Sequence, residues 1–331
     1  MCFHQQGAGM KKVSAVLLTL AVCAGLGMLG CNKETGPGEQ SPAGVTNEQS
    51  AMEYYVANDE FVRNDEITFA DREVEPTDYS TFGKIDAAVT PLRWGRFITS
   101  ITRTVTVTVQ PGDTMAIAKV EKTIVGTLKI RAKTETGDTV VIQKPFTDAS
   151  TRLVIFKRVA RQTDRFWLNW VPVATSLVSG GTIPPNNVIS IVKLVQYLPW
   201  GDSITVTDPN AFFLRYRWLR LFAGGQIDAP DLAAGSTVRL QATVVSASPD
   251  TDIVTLRYGF DALHGRRLRM KCLSETNNGG GTYTRVFEIS WPVHFHRGFF
   301  HAGVDAMTRG TLFDDQAPYA VSWWGIPYRV L

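Results

Sequence analysis

Cysteine is scarce in this chain of 331 residues. Of its four cysteines, Cys2, Cys23 and Cys31 lie at the start, and only Cys272 lies in the remaining chain. An intrachain disulfide is therefore excluded from the main body, whose stability must come from the hydrophobic core that a chain of this length can form. Cys272 lies in a predicted strand, and we interpret it as a small buried apolar side chain rather than a nucleophile.

Motifs of several enzyme classes are also absent. The sequence contains no Gly-x-Ser-x-Gly, no phosphate-binding loop, no dinucleotide-binding glycine pattern and no His-Glu-x-x-His. The formal net charge is only +3, with 34 Lys and Arg against 31 Asp and Glu. Such a balance does not indicate the clustered basic residues that neutralise nucleic-acid phosphates, so we expect no nucleic-acid partner.

The small net charge conceals an uneven distribution. Residues 32–92 hold 13 acidic and 4 basic residues, whereas residues 93–331 hold 28 basic and 18 acidic residues. We expect residues 51–92 to form an acidic, partly helical segment that lies against the basic body, with Thr46 or Asn47 capping the helix. A calcium loop is disfavoured in this segment, because its dense acidic cluster contains no glycine for the central turn.

The first 31 residues have the pattern of a secretory signal peptide. Lys11-Lys12 precedes an apolar run from Val13 to Leu29, and Gly30 is a small residue at the cleavage position. An uncleaved membrane anchor is the alternative, given the length of the apolar run. Residues 32–50, rich in Gly, Pro, Ser, Glu and Gln, are predicted to be a flexible linker.

The string Met28-Leu29-Gly30-Cys31 resembles the lipobox of bacterial lipoproteins, in which the signal peptide is removed before a cysteine that carries diacylglycerol. The resemblance covers these four residues, and Met28 and Leu29 depart from the usual Leu and Ala or Ser. It implies lipidation at Cys31 and attachment to a membrane through this N-terminal lipid. Asn32, rather than Asp, after the cysteine implies the outer membrane.

Beyond residue 92 the hydrophobic pattern has a period of two. Thr104–Val109 alternates strictly and leads into the turn Gln110–Asp113, and short alternating runs separated by turns continue through most of the remaining sequence. The pattern predicts an all-β fold of two antiparallel β-sandwich domains in tandem, residues 93–228 and 229–331, since alternation buries one face of each sheet.

The second predicted domain resembles immunoglobulin-like and fibronectin type III-like sandwiches. The resemblance is carried by Gly281-Thr282-Tyr283 before a strand and by the run Gly298–Ala306. It is generic, because the disulfide between the sheets is absent, and it implies an adhesive, structural or spacer module.

One triad-like pair of motifs occurs. Gly201-Asp202-Ser203 and Asp261-Ala262-Leu263-His264 together resemble the Gly-Asp-Ser and Asp-x-x-His blocks of SGNH hydrolases. In that family the blocks lie near opposite ends of an α/β domain, whereas a short strand-rich stretch separates them here. We therefore interpret Gly201-Asp202 as a hairpin turn.

Three histidines, His294, His296 and His301, lie close together in the sequence. If Arg297-Gly298 is a two-residue hairpin turn, His294 faces His301 across the strands and His296 shares their face. Such a face could bind Zn²⁺ or Cu²⁺, with Asp305 as a fourth ligand. The alternatives are a polar, solvent-facing strand surface and an immunoglobulin-like topology that places the two strands in different sheets.

Trp323 and Trp324 are adjacent in a predicted strand, where successive side chains point to opposite faces. We expect one indole to point outward and to offer a binding surface for a glycan or a protein partner in the cell envelope. Most of the other tryptophans are expected in the core.

Together these patterns predict a non-enzymatic, exported, lipid-anchored protein of the cell surface or periplasm that acts as a binding, adhesive or structural module. The alternative is a metal-dependent or hydrolytic cell-envelope enzyme that uses the cluster of His294, His296 and His301.

Overall fold

Strands dominate the computed structural model of the protein, which confirms the predicted all-β fold. The structure describes residues 44–59, 62, 89–159, 169–184, 188–217, 226–259 and 266–331. The helices with assigned bounds are α1 (Glu48–Asn58) and α2 (Arg309–Phe313). The strands are β1 (Val89–Val109), β2 (Met115–Thr134), β3 (Thr139–Arg158), β4 (Trp170–Ser176), β5 (Ser179–Thr182), β6 (Ile189–Tyr197), β7 (Ser203–Val206), β8 (Phe213–Arg217), β9 (Gln226–Ile227), β10 (Asp231–Leu232), β11 (Thr237–Ser246), β12 (Ile253–Tyr258), β13 (Arg266–Arg269), β14 (Lys271–Gly279), β15 (Thr282–Pro292), β16 (Gly298–Met307) and β17 (Val321–Val330).

Helix α1 begins with a capping box, as the sequence predicts for Asn47. The Asn47 side chain accepts a hydrogen bond from the Ser50 main-chain nitrogen at 2.8 Å, and the Ser50 hydroxyl accepts one from the Asn47 nitrogen at 3.0 Å. Two of the first-turn donors that a helix leaves unpaired are thereby satisfied. Among the described residues, no helix has the length and apolar character needed to cross a membrane.

Strands β1, β2 and β3 form a long antiparallel meander. They contain 21, 20 and 20 residues, respectively. The first turn is the predicted Gln110–Asp113, closed by a 2.8 Å hydrogen bond from the Gln110 nitrogen to the Met115 carbonyl. Gly112 in this turn has a φ of 89°, a conformation that side-chain-bearing residues rarely adopt.

The described strands form two sheets. Sheet A has twelve strands in the order β13-β12-β16-β17-β5-β3-β4-β8-β9, with β2 paired to β3, β1 to β2 and β10 to β17. Sheet B has five strands in the order β14-β15-β11-β6-β7. The pairings are antiparallel except that between β10 and β17, which is parallel and involves two residue pairs.

The sequence predicts two tandem sandwiches that meet at residue 229, each with its own strands. The strands are divided between the two sheets in a different way. Strands β6 and β7 precede that residue, yet β6 pairs with β11 along Arg239–Ser246. Strand β5 likewise pairs with β17 through Ser179, Gly180 and Gly181. Both sheets therefore combine strands from residues 93–228 and 229–331, and Ser41–Leu331 forms one compact unit.

Strands β12, β16 and β17 are buried on both faces. One face of these strands packs against sheet B through residues such as Val254, Val304 and Trp324. The opposite face, with Ile253 and Trp323, packs in a second core that includes residues of β1, β2 and β3. A strand covered on both sides buries every residue rather than alternate ones, which explains the continuous burial of β12.

Candidate functional site

The histidines do not form the predicted hairpin. Strand β15 belongs to sheet B and β16 to sheet A, so residues 293–297 connect two sheets rather than two neighbouring strands. His301 pairs with Pro327 of β17 instead of facing His294. Val293 and Phe295, which would share one face of such a hairpin, are 1% and 80% exposed, respectively. The alternative topology, with the two strands in different sheets, is therefore the one observed.

His294 and His296 remain near each other on this connection. Their ring centroids are 6.2 Å apart, and His294 Nε2 lies 3.0 Å from the Tyr328 hydroxyl. Burial lowers the pKa of His294, and the neighbouring His296 lowers it further. Both effects disfavour the charged imidazolium.

His301 lies apart from this pair in a buried, positively charged setting. It is 8% exposed, and the pKa of its imidazole is well below the usual value because of burial and the nearby charges of Arg152 and Lys122. The predicted fourth ligand, Asp305, is instead bound by Arg96 and Arg257. Within the described part of the chain, no group of three or more His, Cys, Asp or Glu side chains is placed to hold a metal ion, so the geometry gives no support to a Zn²⁺ or Cu²⁺ site.

Neither Trp323 nor Trp324 is placed to bind a glycan or a protein partner. They are 4% and 6% exposed, because β17 is covered on both faces and each indole enters a different core. The Trp323 ring lies so close to Gly180 that a Cβ at that glycine would overlap it. The expectation of an outward indole is therefore wrong at this pair.

Only the first of the two triad-like motifs lies in the described part of the chain. Gly201, with a φ of 98°, and Asp202 lie in the turn of the β6–β7 hairpin, as predicted, and Ser203 is the first residue of β7. Asp202 Oδ2 accepts a 2.8 Å hydrogen bond from Trp200 Nε1. Asp261 and His264, together with the predicted lipidation site Cys31, lie outside the described residues.

The structure reveals an open cleft of about 380 Å³ between the two sheets, which the sequence did not single out. A volume of this size lies in the range of small-molecule sites, about 300–1,000 Å³. Strands β6, β7 and β11 of sheet B form one wall, while β17, β8 and the residues around the β4–β5 and β9–β10 connections complete it. The lining residues are Leu177, Leu194, Gln196, Leu198, Trp200, Ile204, Val206, Phe212, Leu214, Asp228, Ala229, Pro230, Asp231, Leu240, Ile326 and Pro327.

Charged and aromatic residues mark the open side of the cleft. Trp200, in the β6–β7 turn, is 54% exposed, which makes it unlike the buried tryptophans of the strands. Asp228 is exposed, and Asp231 accepts hydrogen bonds from the Arg329 guanidinium through both of its carboxylate oxygens. Those bonds raise the pKa of Arg329, so its charge is maintained beside the two acids.

The cleft is lined mainly by apolar side chains. Of the described residues that line it, only Asp228 and Asp231 carry titratable side chains, and the others are apolar apart from Gln196 and the indole nitrogen of Trp200. Such a lining offers burial to an apolar molecule and few groups for chemistry. No protein-family model matches the chain, and no curated protein or solved structure is significantly similar to it.

Proposed function

We propose that this chain is an exported, lipid-anchored cell-envelope protein that acts as a binding module, with the cleft between the sheets as its ligand site. The single observation that carries the binding role is the open apolar cleft of about 380 Å³. Export and anchoring are supported by the signal-like leader and by the lipobox-like string that ends at Cys31.

The cleft suits an apolar small molecule. Its wall includes Leu194, Leu198 and Leu240 from sheet B and Ile326 from sheet A. A ligand that removes apolar surface from water gains about 25 cal/mol per Å² buried, which compensates for the loss of its freedom of motion. Trp200 at the open side adds an amphipathic ring where the ligand meets solvent.

The proposal is tested with N-phenylnaphthylamine, an uncharged dye that fluoresces more strongly in apolar surroundings. We expect the purified protein to bind it and to increase its fluorescence. Replacing Ile204 by Trp adds bulk inside the cleft and is expected to weaken dye binding at least tenfold, since a filled site has no room for the ring system.

A matched control is available on the same strand. Thr205 is adjacent to Ile204 but exposed, because successive strand residues point to opposite faces. The Thr205→Trp variant carries the same added indole outside the cleft and should bind the dye like the unmodified protein. Absence of dye binding by the unmodified protein, or equal binding by Ile204→Trp and Thr205→Trp, would overturn the cleft as the ligand site.

A further inference from the structure

Gln196 occupies a position where the strand pattern requires an apolar residue. It lies between Leu194 and Leu198 on the inward face of β6, and all three line the cleft. Its neighbours across the sheet are Leu240 on β11 and Ile204 on β7, which also line the cleft. The amide is therefore surrounded by aliphatic side chains on its own strand and on both adjacent strands.

The side-chain amide of Gln196 opens onto the cleft and has no hydrogen-bond partner among the described residues. The residue is 5% exposed, yet its amide makes no hydrogen bond to any residue in the described part of the chain. Gln241, on the outer face of the neighbouring β11, shows the usual situation, since its amide bonds to both Tyr197 and Glu288. A ligand that fills the cleft removes this amide from water, so it has to hydrogen-bond to Gln196 or leave a buried polar group unsatisfied.

The surrounding charges restrict what that partner can be. The charged residues that line the cleft, Asp228 and Asp231, are both acidic, and they lie on the β9–β10 connection and at the start of β10 rather than on the strands next to Gln196. The side chains next to the amide offer no counter-charge, so an ionised group placed there would lose its hydration without compensation. An amide has both a donor and an acceptor, which match a hydroxyl, an ester or another amide.

From this arrangement we propose that the cleft binds a free, uncharged, single-chain amphiphile, whose aliphatic body lies among the leucines and whose single hydroxyl, ester or amide group pairs with the Gln196 side chain. The proposal rests on the proposed function, because it names the ligand class of the same cleft. It assigns Gln196 as the residue that determines specificity, while the aliphatic wall supplies most of the affinity.

The test compares three ligands of equal chain length as competitors of N-phenylnaphthylamine: octanol, octane and octanoate, the last measured at about pH 8, where it is ionised. The proteins are the unmodified chain, Gln196→Leu and Gln196→Met, which remove the amide at similar volume. Gln241→Leu is the matched control, because it removes an amide from the opposite face of the same sheet.

We expect the affinity for octanol relative to octane to fall about tenfold in Gln196→Leu and Gln196→Met, because each variant loses one hydrogen bond between the ligand and the amide. In Gln241→Leu this ratio should stay unchanged. We also expect the unmodified protein to bind octanoate at least about tenfold more weakly than octanol. An unchanged octanol-to-octane ratio in both Gln196 variants, with dye binding intact, would overturn the role of Gln196 and leave the cleft as a general apolar site.

Octanoate binding as tight as that of octanol would overturn the restriction to uncharged ligands. Failure of the unmodified protein to bind the dye or any of the three compounds would instead overturn the proposed function, and this inference with it. Thermal denaturation of each variant in the absence of ligand checks that the compared proteins are folded. If Gln196→Leu does not fold, Gln196→Met provides the comparison, since its flexible side chain adapts to irregular space.

Discussion

Asp305 on β16 accepts hydrogen bonds from Arg96 Nη2 on β1 through both carboxylate oxygens, each at 2.9 Å. Arg257 on β12 adds a third bond to the same carboxylate, at 2.8 Å. Burial alone would raise the pKa of Asp305, but the charges of Arg96 and Arg257 outweigh it and hold that pKa at about 2. The three side chains join the meander to the centre of sheet A inside the protein.

Removing the charge of Asp305 is expected to destabilise the protein strongly. Asp305→Asn leaves Arg96 and Arg257 buried without their counter-charge, and the free energy of unfolding should fall by about 3–5 kcal/mol in urea denaturation. The triple variant Arg96→Met, Arg257→Met, Asp305→Leu removes the charges together and should be considerably more stable than Asp305→Asn. If the triple variant is less stable than Asp305→Asn, the cost of Asp305→Asn does not come from leaving the two arginines without their counter-charge, and the expectation is wrong.

Asp148 is expected to make stability depend on pH. Burial raises its pKa to about 6, and the Arg96 charge and a 2.9 Å hydrogen bond from the Tyr319 hydroxyl offset only part of that effect. Asp305 also faces this carboxyl and raises its pKa further. The folded protein therefore binds the proton of the Asp148 carboxyl more tightly than the unfolded chain does. The stability that this protonated carboxyl contributes is present below about pH 4, and it is lost as the pH rises through about 6.

Asp148→Asn should therefore stabilise the protein at about pH 8 by about 2 kcal/mol and have little effect at about pH 4. The measurement is the free energy of unfolding in urea at both values. Asp113→Asn, in the exposed β1–β2 turn, is the control and should change neither value. An Asp148→Asn effect that is the same at both pH values would contradict the assignment.

His301 should give a dependence of the opposite sign. Burial and the charges of Arg152 on β3 and Lys122 on β2 lower its pKa well below the usual value. The His301 imidazole therefore binds a proton more readily in the unfolded chain than in the folded protein. The free energy of unfolding should have its full value above about pH 6.5 and fall as the pH decreases, by up to about 1.4 kcal/mol per pH unit.

A His301→Gln variant should lose less stability than the unmodified protein between about pH 7 and pH 5, as followed by urea denaturation. His296→Gln, on the exposed connection between the sheets, is the comparison variant; it should change the pH dependence only through His294, whose pKa His296 lowers, and should keep most of the original slope. If both variants retain the slope of the unmodified protein, another group is responsible for it.

Local features of this fold could be read from the sequence. The Asn47 cap, the Gln110–Asp113 turn and the Gly201-Asp202 turn depend on neighbouring residues alone, and each occurs where the pattern indicates it. The period-two alternation of β2 likewise appears as alternating burial along the strand. These features require no knowledge of which strands pair at a distance.

The placement of the functional candidates depended on such distant pairing. Arg297-Gly298 resembles a hairpin turn, but whether β15 and β16 pair is decided by the sheet each one joins. The expectation that Trp323 or Trp324 points outward assumes that one face of the strand is exposed to solvent. Strand β17 does not meet this condition, because it is covered on both faces. Gln196, in contrast, was visible in principle as a polar residue among the inward positions Ile189, Ile191, Leu194 and Leu198.

The docking of α1 on the meander is expected to be sensitive to salt. Glu48 accepts hydrogen bonds from Arg158 at 3.1 and 2.7 Å and from the Trp170 indole at 3.1 Å. This pair is only partly buried, so ions in solution screen it. Raising the salt concentration should increase hydrogen exchange in α1, by about threefold to tenfold, and by less in Glu48→Gln, where the pair is already weakened.

Glu53→Gln is the control for this measurement, because Glu53 lies on the same helix and, among the described residues, its side chain bonds to Gln49 of that helix, at 2.8 Å. Its salt response should equal that of the unmodified protein. Exchange in α1 that does not change with salt in any of the three proteins would contradict an electrostatic contribution to holding α1 against the meander.

Lipidation should depend on Cys31 alone. The small Gly30 precedes Cys31, as lipoprotein processing requires, whereas Val22 precedes the other cysteine of the leader, Cys23. Cells that express the chain and are fed radiolabelled palmitate should incorporate label into the unmodified protein and into Cys23→Ala, but not into Cys31→Ala. Label in Cys31→Ala would contradict the assignment of Cys31 as the lipidated residue. An unmodified protein without label would contradict lipidation itself and leave the uncleaved apolar run as the membrane anchor, because that run is long enough to be held in a bilayer without a lipid.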